Sequence, residues 1–226
     1  MDPEIVFKNK DLVVLNKPAG LLMHSDGKGK DTLADWLVVN FPEVASVGDK
    51  PEERPGIVHR LDKDTSGIVL IPRNQHYFEY LKDLFATGNI KKTYLAIVKG
   101  VLKGKEGTID APISLKPGTT KRTIHGGKMT KSAITKYKVS KELNEASLVE
   151  VFPRTGRTHQ IRVHMASIGH PVLGDTLYGS KKNEEGAPRQ MLHAHSVEFE
   201  IEPGKAMKLM ADPPADFEGF LKKLEK

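Results

Sequence analysis

The sequence contains no cysteine among its 226 residues. Disulfides, thiolate metal sites and cysteine nucleophiles are therefore excluded. Long apolar runs are missing too. No window approaches the ~18 uncharged residues that suggest a membrane-spanning helix, and the opening MDPEIVFKNKDLVVLNKP lacks the basic segment and apolar stretch of a secretory signal. A cytoplasmic protein with no membrane partner is the expectation. No repeat of fixed period and no low-complexity tract occurs, and Gly and Pro are scattered rather than clustered. At 38% hydrophobic and 28% charged residues, the chain is long enough to bury a real core, and a single domain over 1–226 is expected.

What is present in excess is positive charge. The formal net charge is +6, and acidic residues are absent from one long stretch. Between Ser114 and Lys141 the charged residues are Lys116, Lys121, Arg122, Lys128, Lys131, Lys136, Lys138 and Lys141. Gathered on one face, they would favour a polyanionic partner; the plainer alternative is a solvated lysine-rich loop and strand.

The hydrophobic pattern predicts many short strands and a few helices. EIVF and DLVVLN read as an opening hairpin, and Asp31 or Thr32 caps a helix through LADWLVVNF that Pro42 stops. Residues 42–55 read as a loop. GIVHRL and GIVLIPR are expected to pair as strands around DKDTSG. Asn74 caps the helix QHYFEYLKDLFAT, which Gly88 closes. In the strand KKTYLAIVKG, Tyr94 and Ala96 share one side and Leu95 and Ile97 the other. GTIDAPIS, SAITKYKVS and SLVEVFP add strands, and Thr158 is expected to cap a helix whose core stripe is Ile161, Met165 and Ile168. HAHSVEFEI and AMKLMA form a last hairpin before the amphipathic helix DFEGFLKKLEK. Hairpins without a βαβ rhythm indicate an α+β fold on a largely antiparallel sheet.

Chemistry concentrates in two stretches. HRLDKD, residues 59–64, sets His59, Arg60, Asp62 and Asp64 against an apolar β pattern, where charge is expensive to bury. Asp64, followed by Thr65, Ser66 and Gly67, fits a turn cap; Asp62, preceded by Arg60 and Leu61, fits one less well. In RTGRTHQIRVHM, Arg162 lies at the edge of a helical core stripe, placed either to reach a carboxylate or to cover apolar surface with its stem. Arg154 and Arg157, ahead of that helix, suit an anion such as phosphate. The histidines do not make a metal site: His159 and His164 are five residues apart, on different helix faces, and His193 and His195 lack a supporting carboxylate. No metal is expected.

Five segments in order resemble the RluA family of RNA pseudouridine synthases: VVLNKPAGLLMH (13–24), GIVHRLDKDTSGIVL (56–70), KKTYLAIVKG (91–100), RTGRTHQIRVHMASIGHPVLGD (154–175) and LHAHSVEF (192–199). The resemblance implies the pseudouridine synthase fold and an RNA-modifying isomerase. It implies that Asp62 is the catalytic aspartate, that Tyr94 is the active-site tyrosine meeting the target base, and that Arg162 is the basic residue pairing with the aspartate. Arg60 matches the arginine that family members insert where the base has left the stack, and His59 beside it is grouped with Arg60 as an RNA contact. Without the resemblance, Tyr94 reads as a packed strand aromatic.

The chemistry accounts for a charged segment in an apolar sheet. Isomerising uridine breaks the bond from the anomeric carbon to nitrogen, turns the uracil, and rejoins it through its fifth ring carbon. A carboxylate is needed in a site closed to water, and the base must leave its stack. No cofactor is expected. Many relatives carry a small RNA-binding domain ahead of the catalytic one, whereas VVLNKP begins here at residue 13, which implies a short or truncated member. Docking of ribosomal or transfer RNA is then expected on the basic run, with Lys121, Arg122 and Lys128 its candidates, and a monomer is the simplest expectation. The main rival is a non-catalytic RNA-binding protein that kept the fold. A nucleoside hydrolase is a weaker one, since it would need a second carboxylate as acid and Asp64 is poorly placed for that.

Overall fold

The computed structural model describes residues 2–25, 31–179 and 186–225. In chain order its elements are β1 (Glu4–Lys8), β2 (Leu12–Lys17), α1 (Leu33–Asn40), a 3-10 turn at Pro42–Ser46, β3 (Ser66–Pro72) and α2 (Gln75–Thr87). They continue as β4 (Lys91–Lys99), β5 (Glu106–Asp110), β6 (Ile113–Leu115), β7 (Arg122–Thr123), β8 (Lys128–Lys131), β9 (Ile134–Leu143) and β10 (Ala146–Pro153). The chain closes with α3 (Gln160–Ser167), β11 (Leu192–Glu202), β12 (Lys205–Met210) and α4 (Ala215–Leu224). This is an α+β fold of mostly antiparallel strands. It divides into two compact units, 1–91 with 194–212, and 92–193 with 213–226. Among the described residues no helix is long and apolar enough to cross a membrane.

In the first unit β1 pairs antiparallel with β2, β2 with β3, and β11 with β12. Alternation along β2 and β3 sends Leu12, Val14, Ile68 and Leu70 into one core, where Tyr77, Leu81 and Leu84 of α2 and Val197, Phe199 and Ile201 of β11 meet them. Burying side chains of this size contributes roughly 1.5–3 kcal/mol each, so the period-2 and period-3.6 patterns dock on each other. The capping signals hold: Asn74 Oδ1 accepts from Tyr77 N at 2.9 Å, and Gly88 ends α2 in the left-handed region with φ 76. Thr32, not Asp31, caps α1, in a capping box with Asp35.

One expected strand is not there. Residues 57–61 of GIVHRL form no ladder. Instead Leu70 N, on β3, donates to Nε2 of His59 at 2.8 Å. A side chain takes a bond that a neighbouring backbone would otherwise supply, so the segment runs beside the strand without joining it. Residues 42–55, expected as loop, begin with a 3-10 turn on Pro42.

In the second unit β10 pairs antiparallel with β4 and β9, and β9 with β5. The two sides of β4 serve two cores, as its alternation predicts: Ala96 and Val98, with Tyr94 at the margin, pack with Val149, Val151, Ile161 and Met165, whereas Ile97, with Leu95 at the margin, packs with Phe217 and Phe220 of α4. GTIDAPIS splits at Ala111–Pro112 into β5 and β6. The basic run folds further than expected, β6 pairing antiparallel with both β7 and β8 in a small second sheet. Helix α3 also differs from expectation. Its N-cap is His159 in the left-handed region, φ 57, not Thr158, and Ile168 is 37% exposed, outside the core stripe.

Candidate functional site

Asp62 is half-buried and precedes the turn into β3. Its carbonyl accepts from Thr65 N at 3.1 Å, closing that turn, and the next carbonyl, Lys63, accepts from Gly20 N at 2.9 Å. Beneath the turn lies Lys17, with no exposed surface at all. Its ammonium donates to the carbonyls of Pro18, Leu21 and Lys63 at 2.8, 2.9 and 3.0 Å. A buried cation is tolerated only when its donors are used, and these bonds tie LNKPAGL to the backbone that carries Asp62. Gly67 completes the frame. At φ 114 it lies so close to Ala194 that a Cβ there would collide with backbone.

The neighbours of Asp62 divide in role. Arg60 is exposed, its Nη1 3.4 Å from Nε2 of His24. His59 points the other way: its Nε2 accepts from Leu70, and its ring lies against Phe85 with centroids 4.6 Å apart. A backbone N–H can only donate, so that nitrogen carries no proton. Nε2 of His59 is thus occupied in holding β3.

In the second unit Arg162 is almost fully buried on α3 and forks onto Asp175, Nε to Oδ2 at 2.6 Å and Nη2 to Oδ1 at 2.9 Å. Oδ1 of Asp175 also accepts from the amides of Leu177 and Tyr178 at 2.9 and 3.1 Å. That turn sets the Tyr178 ring 5.2 Å from the Arg162 guanidinium. The Tyr178 hydroxyl accepts from Arg122 N at 2.8 Å and sits 2.9 Å from Nδ1 of His159. Planar bidentate pairing fixes a guanidinium far better than a point charge would.

A second buried network holds the loop of Arg154 and Arg157. Oε1 of Gln160 accepts from Thr155 Oγ1 at 2.7 Å and from Arg157 N at 3.0 Å, while its Nε2 donates to Thr135 Oγ1 at 3.0 Å. Thr135 lies 2.8 Å from Nδ1 of His164, whose Nε2 is 2.9 Å from the Ala111 carbonyl. A carbonyl only accepts, so His164 carries its proton on Nε2. Burial pushes its pKa down. Arg154 is exposed; Arg157 is half-buried, its Nε donating to Ser132 O at 3.1 Å.

Tyr94 is half-buried on β4, opposite Val151. Lys92, two residues earlier and on the same side of the strand, has its pKa pushed down by burial. Of the basic run, Lys128 is exposed, but Lys121 turns its ammonium onto the Leu177 carbonyl at 3.2 Å. Among the described residues no group of three or more His, Asp or Glu side chains is placed to hold a metal ion. His195 bonds the Ala211 carbonyl through Nδ1 at 2.9 Å, and His193 is buried with its ring centroid 6.4 Å from that of Phe217.

Residues 11–167 match the family model described as RNA pseudouridylate synthase. The chain belongs to that family. Pseudouridylate synthases are isomerases, and the similar proteins carry that name. An RNA pseudouridine synthase of Aquifex aeolicus, described as uncharacterized, is 43% identical over 83% of this chain and 59% of its own length. A ribosomal large subunit pseudouridine synthase D of Zymomonas mobilis is 39% identical over 98% of this chain and 72% of its own. The chain thus spans between 59% and 72% of the length of those relatives. Its fold matches that of human RNA pseudouridylate synthase domain containing 4, with a TM-score of 0.76, 28% identity, 97% of this chain and 92% of that one.

Sequence reasoning missed Lys17, Asp175, Tyr178 and Lys92. Each lies inside a quoted segment or close to one, but nothing in a linear motif says that a lysine is buried or which carboxylate an arginine takes. The 0% exposure of Lys17 is a property of the fold.

Proposed function

We propose that this chain isomerises specific uridines of RNA to pseudouridine, with Asp62 as the catalytic carboxylate. The observation that carries the proposal is the match to the synthase family over residues 11–167, which includes the turn of Asp62 and the Lys17 clamp beneath it. In the reaction the bond from the anomeric carbon to N1 breaks and one from that carbon to C5 forms. The proton on C5 is lost and N1 gains one, so substrate and product have the same composition and no oxidant or cofactor enters the balance. Asp62 acts at the reacting nucleoside, Tyr94 meets the detached uracil, and Arg162 is the basic residue that serves the aspartate. Arg60, exposed beside Asp62, fills the gap the flipped base leaves.

Ribosomal RNA is the favoured substrate over transfer RNA, because relatives at 34% and 39% identity are named ribosomal large subunit pseudouridine synthase D. Arg154, Arg157 and the basic run meet its phosphates.

The test uses RNA from cells lacking this gene, tritiated at C5 of uracil. Wild type should release tritium to water, and Asp62→Asn should not, while still binding RNA with an affinity within about threefold of wild type, since phosphate contacts supply most of the affinity. Size fractionation of the reacting RNA separates ribosomal from transfer targets. Binding without release by wild type would leave a non-catalytic RNA-binding protein; release of free uracil would make the chain a hydrolase.

A further inference from the structure

Beside the small sheet of the second unit lies a cleft of about 180 Å³, with Arg122, Met129, Lys131, Gly156, Arg157 and Thr158 in its lining. Three elements deliver its cations: β7 brings Arg122, the end of β8 brings Lys131, and the loop before α3 brings Arg157. Among the described residues no carboxylate lines it. Among the described residues none of the three cations is ion-paired.

The cations are held in place by bonds that leave charge uncompensated. Arg157 is anchored through Nε to the Ser132 carbonyl. Arg122 is anchored through its backbone, whose N–H donates to the Tyr178 hydroxyl at 2.8 Å, and Lys131 through the pairing of β8 with Ile113. The Nε of Arg122 is buried and has no hydrogen-bond partner. A buried guanidinium N–H without an acceptor costs the desolvation of that group. Such an arrangement is tolerated where a ligand brings the acceptor. Gly156, also in the lining, adds no side chain to it.

We propose that this cleft is a subsite for one backbone phosphodiester of the RNA substrate, whose oxygens take the orphan Nε–H of Arg122 and the ammonium of Lys131. A phosphodiester fits better than a carboxylate because three cations line one small volume and the same run of sequence carries further lysines, suiting a polyanion. The subsite rests on the RNA-modifying reading above and narrows the broad docking expectation: Lys121 is spent on a carbonyl, whereas Arg122 is aimed into the cleft.

The experiment combines two probes on the whole chain. Inorganic phosphate is titrated while the arginine Nε–H resonances are followed by NMR, and RNA binding and tritium release are measured against salt for wild type, Arg122→Gln, Arg122→Lys and Lys131→Gln. Phosphate should shift the Arg122 Nε–H saturably. Arg122→Gln should raise KM about tenfold and lower the slope of log affinity against log salt by about 0.7 to 0.9, with Lys131→Gln alike. Arg122→Lys should restore the slope but not the full affinity. The Tm of Arg122→Gln should be no lower than that of wild type, because the variant removes a buried N–H that has no acceptor. If wild type releases tritium while Arg122→Gln and Lys131→Gln keep its KM and slope, the subsite is overturned and the catalytic reading stands. If phosphate shifts Arg122 and the slopes fall but wild type releases no tritium, the subsite stands and the catalytic reading fails.

Discussion

Lys17 illustrates why a charged residue in an apolar strand is informative. Its three carbonyl partners include Lys63, next to Asp62, so a cation inside the fold holds the backbone that presents the carboxylate. Lys17→Met keeps the stem and removes the donors, leaving carbonyls of Pro18, Leu21 and Lys63 short of a partner. The expected loss is about 2–4 kcal/mol in urea unfolding, together with a fall in tritium release at temperatures where the variant is still folded. Release at the wild-type rate would show that the clamp does not position Asp62. Asp175 is the corresponding residue of the second unit. Asp175→Ala strips a buried arginine of its fork and frees Tyr178, so a loss of about 3–5 kcal/mol is expected; an unfolding midpoint near that of wild type would refute it.

Among the elements, those with one clear periodicity were legible before the fold was seen. Helix α2, strand β4, the β11–β12 hairpin and α4 fall where alternation or helical spacing and their caps put them. The failures share a cause, a side chain standing in for backbone or tertiary context overriding a local cap. GIVHRL has the composition of a strand, yet His59 rather than its backbone bonds β3. His59→Leu should therefore cost about 1–3 kcal/mol through the unsatisfied amide of Leu70, read as an unfolding midpoint, and amide exchange at Leu70 should accelerate more than at Val13. Thr158 has the chemistry of a helix cap, but the side chain of Gln160 accepts the amide of Arg157 and the N-cap position falls on His159. Gly67 makes the same point for close approach. Gly67→Ala has no room against the Ala194 backbone, and should lower the Tm by several degrees.

At the scale of the whole molecule, charge and pH act through different groups. On the proposed function, in which basic residues on several elements meet phosphate, RNA affinity should fall steeply with salt. Stability should respond to acid through His164, whose folded pKa lies below the ordinary 6.5 because burial disfavours its charged form. Above that value both folded and unfolded imidazoles are neutral, and the contribution is complete. As the pH falls through it, the unfolded chain binds a proton that the native state binds more weakly, so stability drops. Urea midpoints measured across roughly pH 5 to 8 should decline on the acid side, and His164→Asn should flatten that decline; an unchanged slope would remove His164 as its cause. By itself the sequence determined the α+β class, the order of most elements and the family resemblance, since periodicity, turn chemistry and motif order are written along the chain. Only the tertiary structure decided that Lys17 is buried under that turn, that Arg162 forks onto Asp175, that His59 serves a strand, and that Arg122, Lys131 and Arg157 share one cleft. Those facts depend on which residues distant in sequence exclude water from one another, and burial, unlike periodicity, is not a local property.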